Sequence, residues 1–206
     1  MHLLFVCTGN LCRSPVAERL TASWAQKTLG ANAAALRGSI GSPTGAPVPA
    51  LAISRAAALR RMGGQPDGFR SRPMTAGMAE EADLVLTATR RQRRLVLEMA
   101  PRALRRTFTL REAADLLSEV DLDGLRPLSP TARARELAVR LDARRGYRRV
   151  SQEDDILDPI GRRQAVHDET AKAIATALRP LAGVLFLGQE LHGDVQPFED
   201  GIAAGY

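Results

Sequence analysis

A parallel α/β sheet with helices on both faces is the fold class this sequence predicts, and three observations predict it. Short apolar runs at residues 2–6, 83–88 and 107–110 read as buried strands, and the stretches between them repeat apolar residues at helical spacing. The resulting β-α-β-α-β-α-β order calls for crossover helices, which cover both faces of a parallel sheet. Length and composition agree: 206 residues, 45% hydrophobic and 25% charged, are enough for one domain with a core of its own.

Each element has its reason. His2-Leu3-Leu4-Phe5-Val6 is apolar apart from His2 and reads as the first strand. Val16, Ala17, Leu20, Trp24 and Leu29 recur at helical spacing until Gly30, with Trp24 a core residue. Ala34-Ala35-Leu36-Arg37 is the second strand candidate, and residues 38–47 read as a loop because turn residues crowd there. Pro49 opens a helix carrying Ala52, Ala56, Leu59 and Met62 on one face, closed by Gly63-Gly64. After a loop at 64–73 and a short helix at 75–82 comes the buried strand at 83–88. A helix over 89–99 then runs up to Pro101, a strand spans 107–110, and a helical stretch covers 112–117.

The segment 118–153 is less regular. Ser129-Pro130 looks like a cap and first turn, and Ala134, Leu137, Ala138 and Leu141 mark a helix ending at Gly146. Residues 155–161 form a loop, because Pro159 disfavours helix at Asp158. Val166, Thr170, Ala173, Ile174, Ala177 and Leu178 build a last helix that is expected to end before Pro180. The expected organisation is one domain over 1–180, with 118–153 as a longer inserted connection and 181–206 as a partly ordered tail.

The net charge is +6, and arginines gather at 90–106 and again at 133–149. A nucleic-acid surface is one reading; solvated helix faces are preferred, because no aromatic residues interleave with the arginines. No apolar run approaches the roughly 18 residues of a membrane span. The apolar start is shorter than a secretory core and lacks a basic flank, which predicts a cytoplasmic protein. The two cysteines, Cys7 and Cys12, share one loop, where a reactive pair is more plausible than a structural staple.

That loop carries the chemistry. Cys7 leaves the end of the first strand, and Arg13 follows six residues later where a helix begins. A phosphate ester repels nucleophiles through its anionic oxygens, so a catalyst must neutralise them, align a nucleophile and protonate the leaving group. The backbone N–H groups of Thr8, Gly9, Asn10, Leu11, Cys12, Arg13 and Ser14 are close enough in sequence to converge on one anion, with Gly9 expected to supply an unusual backbone conformation. The helix N-terminus adds positive potential, and the Arg13 fork matches two phosphate oxygens. The same field favours the Cys7 thiolate, to which Ser14 can donate, and sulfur attack yields a phosphocysteine. Alone, Cys-x5-Arg is a weak signal. Its place between strand and helix, with Gly9 inside and Ser14-Pro15 after, outweighs the reading of a buried cysteine beside a solvated arginine.

A general acid is also needed. Asp158 is the candidate, on a loop stiffened by Pro159 after an apolar pair; the competing reading is an N-cap for the helix beyond Gly161. Asp155 and Asp154 are the runners-up.

Leu3 to Glu18, read as Leu-Leu-Phe-Val-Cys-Thr-Gly-Asn-Leu-Cys-Arg-Ser-Pro-Val-Ala-Glu, resembles the signature of low-molecular-weight protein tyrosine phosphatases. The late Asp158-Pro159 resembles that family's acid loop, and the order, with phosphate loop first and acid far downstream, separates it from the larger tyrosine phosphatases. Weaker matches are Ser39-Ile40-Gly41 and Ala82-Asp83-Leu84-Val85-Leu86. The resemblance implies a four-stranded parallel sheet between helices, with the phosphate-binding loop after the first strand. It implies Cys7 as nucleophile, Arg13 as phosphate clamp and Asp158 as acid and then base. Asn10 would brace the loop and Ser14 stabilise the thiolate. Cys12 would either form a reversible disulfide with the nucleophile or simply pack.

Three departures bear on the substrate. Ile160 stands where tyrosine-specific members carry an aromatic residue after Asp-Pro, the wall at Ser42-Pro43-Thr44 has no aromatic either, and 118–153 is longer than usual and is expected to cap the pocket or bind a partner. Relatives acting on phosphoarginine tend to have threonine in place of Leu11; apolar Leu11 favours an aryl phosphate, since it would leave guanidinium donors unpaired. The substrate pocket is thus assigned to Leu11, Ser42, Pro43 and Ile160. The expected partner is a phosphorylated protein or small aryl phosphate, with phosphate-like oxyanions as inhibitors, no metal or cofactor, and neither nucleic acid nor membrane. Alternatives are a protein-arginine phosphatase, an arsenate reductase using an external thiol, and a phosphate-binding interaction module with little catalysis.

Overall fold

In the computed structural model, the structure describes residues 1–41 and 73–187. The described strands are β1 (His2–Val6), β2 (Arg37–Gly41), β3 (Leu84–Thr87) and β4 (Thr107–Thr109). All pair in parallel, in the order β2-β1-β3-β4. The helices are α1 (Arg13–Leu29), α2 (Ala76–Glu81), α3 (Arg90–Met99), α4 (Leu110–Leu117), α5 (Pro130–Arg145) and α6 (Gln164–Ala182). The parallel α/β class expected from the sequence is the one observed.

Alternation along β1 divides the core in two, because successive side chains of a strand point to opposite faces. Leu3 and Phe5 pack with buried residues of α1, α4, α5 and α6, among them Leu20, Leu116, Leu137 and Ile174. Leu4 and Val6 meet Ala79 of α2 and Val96 of α3 on the other face. Burying a side chain such as Leu137 or Ile174 contributes roughly 1.5–3 kcal/mol, so α5 and α6 are built into the fold. The helix in the 118–153 segment is therefore a core element. Its Arg133 is buried and donates to the carbonyls of Leu125, Arg126, Leu128 and Leu185, stitching the preceding irregular chain to the end of the fold.

Helix starts follow the sequence signals. Thr75, Thr89 and Ser129 cap α2, α3 and α5 by accepting from the N–H three residues on. Thr109 and Glu112 form a reciprocal capping box, so α4 begins at Leu110, two residues before the expected start.

Several expectations are corrected. The second strand lies three residues later than expected: 30–35 is a 3-10 turn, and Arg37–Gly41 pairs with β1 residue for residue from His2↔Arg37 to Val6↔Gly41. Residues 38–41 are thus strand and not loop. Pro101 ends α3 and also begins a 3-10 turn over Pro101–Arg106. The last helix does not stop before Pro180; α6 runs to Ala182 and continues as a π-helical turn over Gly183–Leu187. Pro180 removes one N–H and strains the turn before it, but Leu181, Val184, Leu185 and Phe186 are buried against the core, and that burial outweighs the lost bond. Residues 181–187, expected as the start of the tail, belong to this helical end. The stretch Gln164–Leu187 is long and apolar enough to cross a membrane by length and composition, unlike the sequence expectation, yet 61% of its apolar window is buried inside the fold as a core helix is. The expected helix from Pro49 and the wall at Ser42-Pro43-Thr44 lie outside the described residues.

Candidate active site

The chain leaves β1 toward β2 on one side and returns to β3 on the other, so the carboxyl ends of β1 and β3 form a topological switch point, the usual crevice for ligands in such sheets. Residues 7–14 occupy it. Backbone bonds frame the crevice: Ala88 N–H donates to the Val6 carbonyl at 2.9 Å, and Ile156 N–H donates to the Ala88 carbonyl at 2.8 Å. The second bond brings the distant 155–161 loop beside the end of β1.

Within the first loop, Cys7 is buried, with its Sγ 3.0 Å from Ser14 Oγ, and Ser14 Oγ donates to Asn10 Oδ1 at 2.8 Å. Since a hydroxyl has one proton, the Cys7 thiol donates to Ser14 while Ser14 donates to Asn10. The backbone exception in the loop is Asn10, at φ 50°, and not Gly9 as expected. Asparagine tolerates the left-handed region better than most residues, and here its side chain closes the loop on itself. At Gly9 the space is limited but not closed: a Cβ there would lie 3.3 Å from Leu11 Cδ1 and 3.9 Å from Ile160 Cδ1. Leu11 and Ile160 therefore both lie beside Gly9, with Ile160 43% exposed.

Arg13 is almost fully buried, and both arms of its fork reach the acid loop. Nη1 donates to the Ile156 carbonyl at 2.9 Å and Nη2 to Asp158 Oδ2 at 2.7 Å. Asp158 itself is 42% exposed at its side chain. It caps no helix: its Oδ1 accepts from Ile160 N–H within the loop, and the position before α6 is Arg163, without a side-chain cap. The two runners-up are otherwise engaged. Asp154 is buried against Arg148. Asp155 accepts from Arg90 three times, from its N–H at 2.8 Å, Nε at 3.2 Å and Nη2 at 3.0 Å. Burial pushes the Asp155 carboxyl up, but the hydrogen bonds and charge of Arg90 outweigh it and hold Asp155 below the ordinary carboxylate range.

Cys7, Asn10, Arg13, Ser14, Leu11, Asp158 and Ile160 are thus brought together as the sequence suggested. Ser42 and Pro43 lie outside the described residues. Both cysteines are free thiols, and Cys12 Sγ lies 3.9 Å from His167 Nδ1 on α6. Two residues escaped the sequence reading. Gln92, buried on α3, donates to Thr8 Oγ1 at 2.7 Å and ties the phosphate loop to that helix. Arg90, two residues earlier, ties the acid loop to the same helix. The available signal was a glutamine four residues before Val96 on the apolar face, where a polar side chain needs a partner.

A parallel α/β sheet with a Cys-x5-Arg loop at its switch point, facing an aspartate, defines a cysteine-dependent phosphatase class of enzyme. Residues 2–129 match the model of the low molecular weight phosphotyrosine protein phosphatase family, and the chain belongs to that family. Among curated relatives it is 34% identical over 116 residues to the protein-arginine-phosphatase of Bacillus subtilis, covering 54% of this chain and 71% of that one. It is 33% identical over 127 residues to low molecular weight protein-tyrosine phosphatase A of Mycobacterium tuberculosis, covering 59% and 75%. Among solved structures, the YwlE arginine phosphatase in a mutant form with a phosphorylated active-site serine superposes with a TM-score of 0.64 at 25% identity, over 90% of this chain and 95% of that one.

Proposed function

We propose that this chain hydrolyses phosphotyrosine, in a protein or as a related aryl phosphate, through a phosphocysteine at Cys7. The observation that carries the reading is the Arg13–Asp158 contact at 2.7 Å, which joins the phosphate loop to the acid loop across 145 positions. In the first step Cys7 sulfur attacks phosphorus, Arg13 and the loop N–H groups hold the equatorial oxygens, and Asp158 gives its proton to the departing aryl oxygen. In the second, Asp158 takes a proton from water as that water attacks the phosphocysteine, releasing inorganic phosphate and the Cys7 thiolate. When Cys7 ionises, the single Ser14 proton turns from Asn10 toward sulfur. Phosphate-like oxyanions compete for the same loop. The phosphorylated serine in the YwlE mutant supports a phosphoryl group carried on the enzyme. The setting proposed is the cytoplasm, with the phosphatase unit extending to at least residue 187.

Two apolar side chains beside Gly9, Leu11 and Ile160, support an aryl group rather than a guanidinium, whose N–H donors would be left unpaired there. The likeness to protein-arginine-phosphatase favours phosphoarginine as the second reading. Rates on phosphotyrosine, phosphoarginine and arsenate, measured side by side, separate the readings. The expected order puts phosphotyrosine first, with Leu11→Thr shifting the ratio toward phosphoarginine by about tenfold or more. A wild-type preference for phosphoarginine would overturn the first reading.

A further inference from the structure

Beside the acid loop lies a second cleft, of about 610 Å³, lined by Arg90, Arg93, Arg94, Leu97, Glu98, Val150 and Asp155. Arg90, Arg93, Arg94 and Leu97 follow the i, i+3, i+4, i+7 pattern, so one face of α3 forms its wall. The three guanidiniums are not equally committed. Arg90 is held by Asp155, and Arg93 donates to the Thr107 carbonyl at 3.0 Å and lies 3.8 Å from Glu112. Arg94 is exposed and has no acidic partner among the described residues. In the second arginine group, Arg133, Arg135, Arg145 and Arg148 are engaged by carbonyls or carboxylates of the fold, whereas Arg144 and Arg149 are exposed. Val150 is 77% exposed, which gives the cleft an apolar edge beside its basic wall.

This cleft is coupled by position to the chemistry. Asp155 is three residues from Asp158, a span of at most roughly 10 Å of chain. The same first turn of α3 that supplies Arg90 to the cleft supplies Gln92 to Thr8 in the phosphate loop. An extended peptide whose phosphorylated side chain entered the site would bring residues about three positions away to this cleft.

We propose that the cleft is a docking subsite for acidic side chains flanking the phosphorylated residue of a protein substrate. It rests on the phosphatase reading and adds to it a rule for substrate choice. Charge complementarity selects the occupant: three guanidiniums against the carboxylates of Glu98 and Asp155 leave one positive charge in excess, so Arg94 donates to an incoming carboxylate while Leu97 and Val150 receive its apolar stem. Because the cleft contacts flanking residues and not the reacting phosphate, it acts on KM and leaves kcat unchanged.

The test uses three substrates: a small aryl phosphate, a phosphotyrosine peptide with neutral flanks, and one with aspartates three to five positions to either side. The wild type is expected to prefer the acidic peptide through KM, with the preference fading as salt is raised. Arg94→Glu should raise KM for the acidic peptide about five- to tenfold while leaving the neutral peptide and the aryl phosphate unchanged, and Arg94→Lys should retain most of the preference. Equal turnover of both peptides, or equal losses on both in Arg94→Glu, overturns the proposal. If no phosphotyrosine substrate turns over, the phosphatase reading fails; anisotropy with an unphosphorylated, labelled acidic peptide then reads the subsite by itself. Binding lost in Arg94→Glu supports the subsite, and binding equal in both proteins removes it. Arg94-dependent binding of inorganic pyrophosphate without any preference among peptides would make the cleft a small-anion site and overturn docking.

Discussion

Residues 7–14 and residues 155–161 meet at the Arg13–Asp158 contact, yet they are held in different ways. The first loop closes on itself: Cys7, Ser14 and Asn10 bond within seven positions, between the end of a strand and the start of a helix. The second has little internal structure beyond Ile160 N–H on Asp158, and depends on anchors far away in the chain. Ala88 fixes its backbone, Arg90 fixes Asp155, and Arg13 grips the Ile156 carbonyl from 143 positions upstream. The first loop also has distant ties, from Gln92 to Thr8 and between Cys12 and His167, but its nucleophile is held by a local bond. A loop hung on long-range bonds is positioned only as well as its anchors.

Breaking the first loop at its nucleophile should have the largest effect. Cys7→Ser is expected to lower turnover of an aryl phosphate by roughly 10⁴-fold or more while oxyanion binding persists, as judged by thermal shift with vanadate or phosphate. Undiminished turnover would end the thiol mechanism. Next comes the reacting group of the second loop. Asp158→Ala should slow substrates with poor leaving groups by about 10²–10⁴-fold and good leaving groups far less, seen as a steeper dependence of rate on leaving-group acidity. A uniform loss across leaving groups would remove the acid role.

The smallest effect sharpens the comparison most, because it touches only an anchor. Asp155→Ala changes neither reacting group chemically and removes the acceptor of three Arg90 donors. The expected loss is about three- to tenfold in kcat for poor leaving groups, from misplacement of Asp158. The stability loss should be small, because the ion pair is one-third exposed on each side and screened by solvent. Its pH dependence has a definite sign. The folded carboxyl sits below its ordinary value, so the tie stabilises above the unfolded value, near about 3.9, and is lost as pH falls through the folded value. Wild type and Asp155→Ala should therefore differ in denaturant midpoint at neutral pH and converge in strong acid. A constant gap would show that the carboxylate charge is not what holds the loop.

Much of the sheet and of the first loop was legible in the residues, because both rest on short-range rules. Apolar runs of strand length, helical spacing and cap residues such as Thr89 and Ser129 act within a few positions. The misreadings share a cause. The second strand was sought at 34–37, where the residues are apolar, whereas pairing with β1 selects Arg37–Gly41, a stretch rich in turn formers. Pro180 predicts a stop by its local cost, which the burial of Leu181 to Phe186 overrides. Gly9 was credited with the unusual backbone that belongs to Asn10, because propensity alone does not see the Ser14 bond that rewards it.

The sequence by itself determined a thiol and a guanidinium six positions apart between strand and helix, and with them the phosphoryl chemistry, since seven residues suffice to close an anion-binding loop. Only the tertiary structure decided which cation each of three neighbouring aspartates meets. Pro159 favours Asp158 already in the sequence, but the three partners, Arg148 for Asp154, Arg90 for Asp155 and Arg13 for Asp158, come from burial alone. The physical reason is that a carboxylate's role follows from the cation it meets, and those cations arrive from helices brought together by packing.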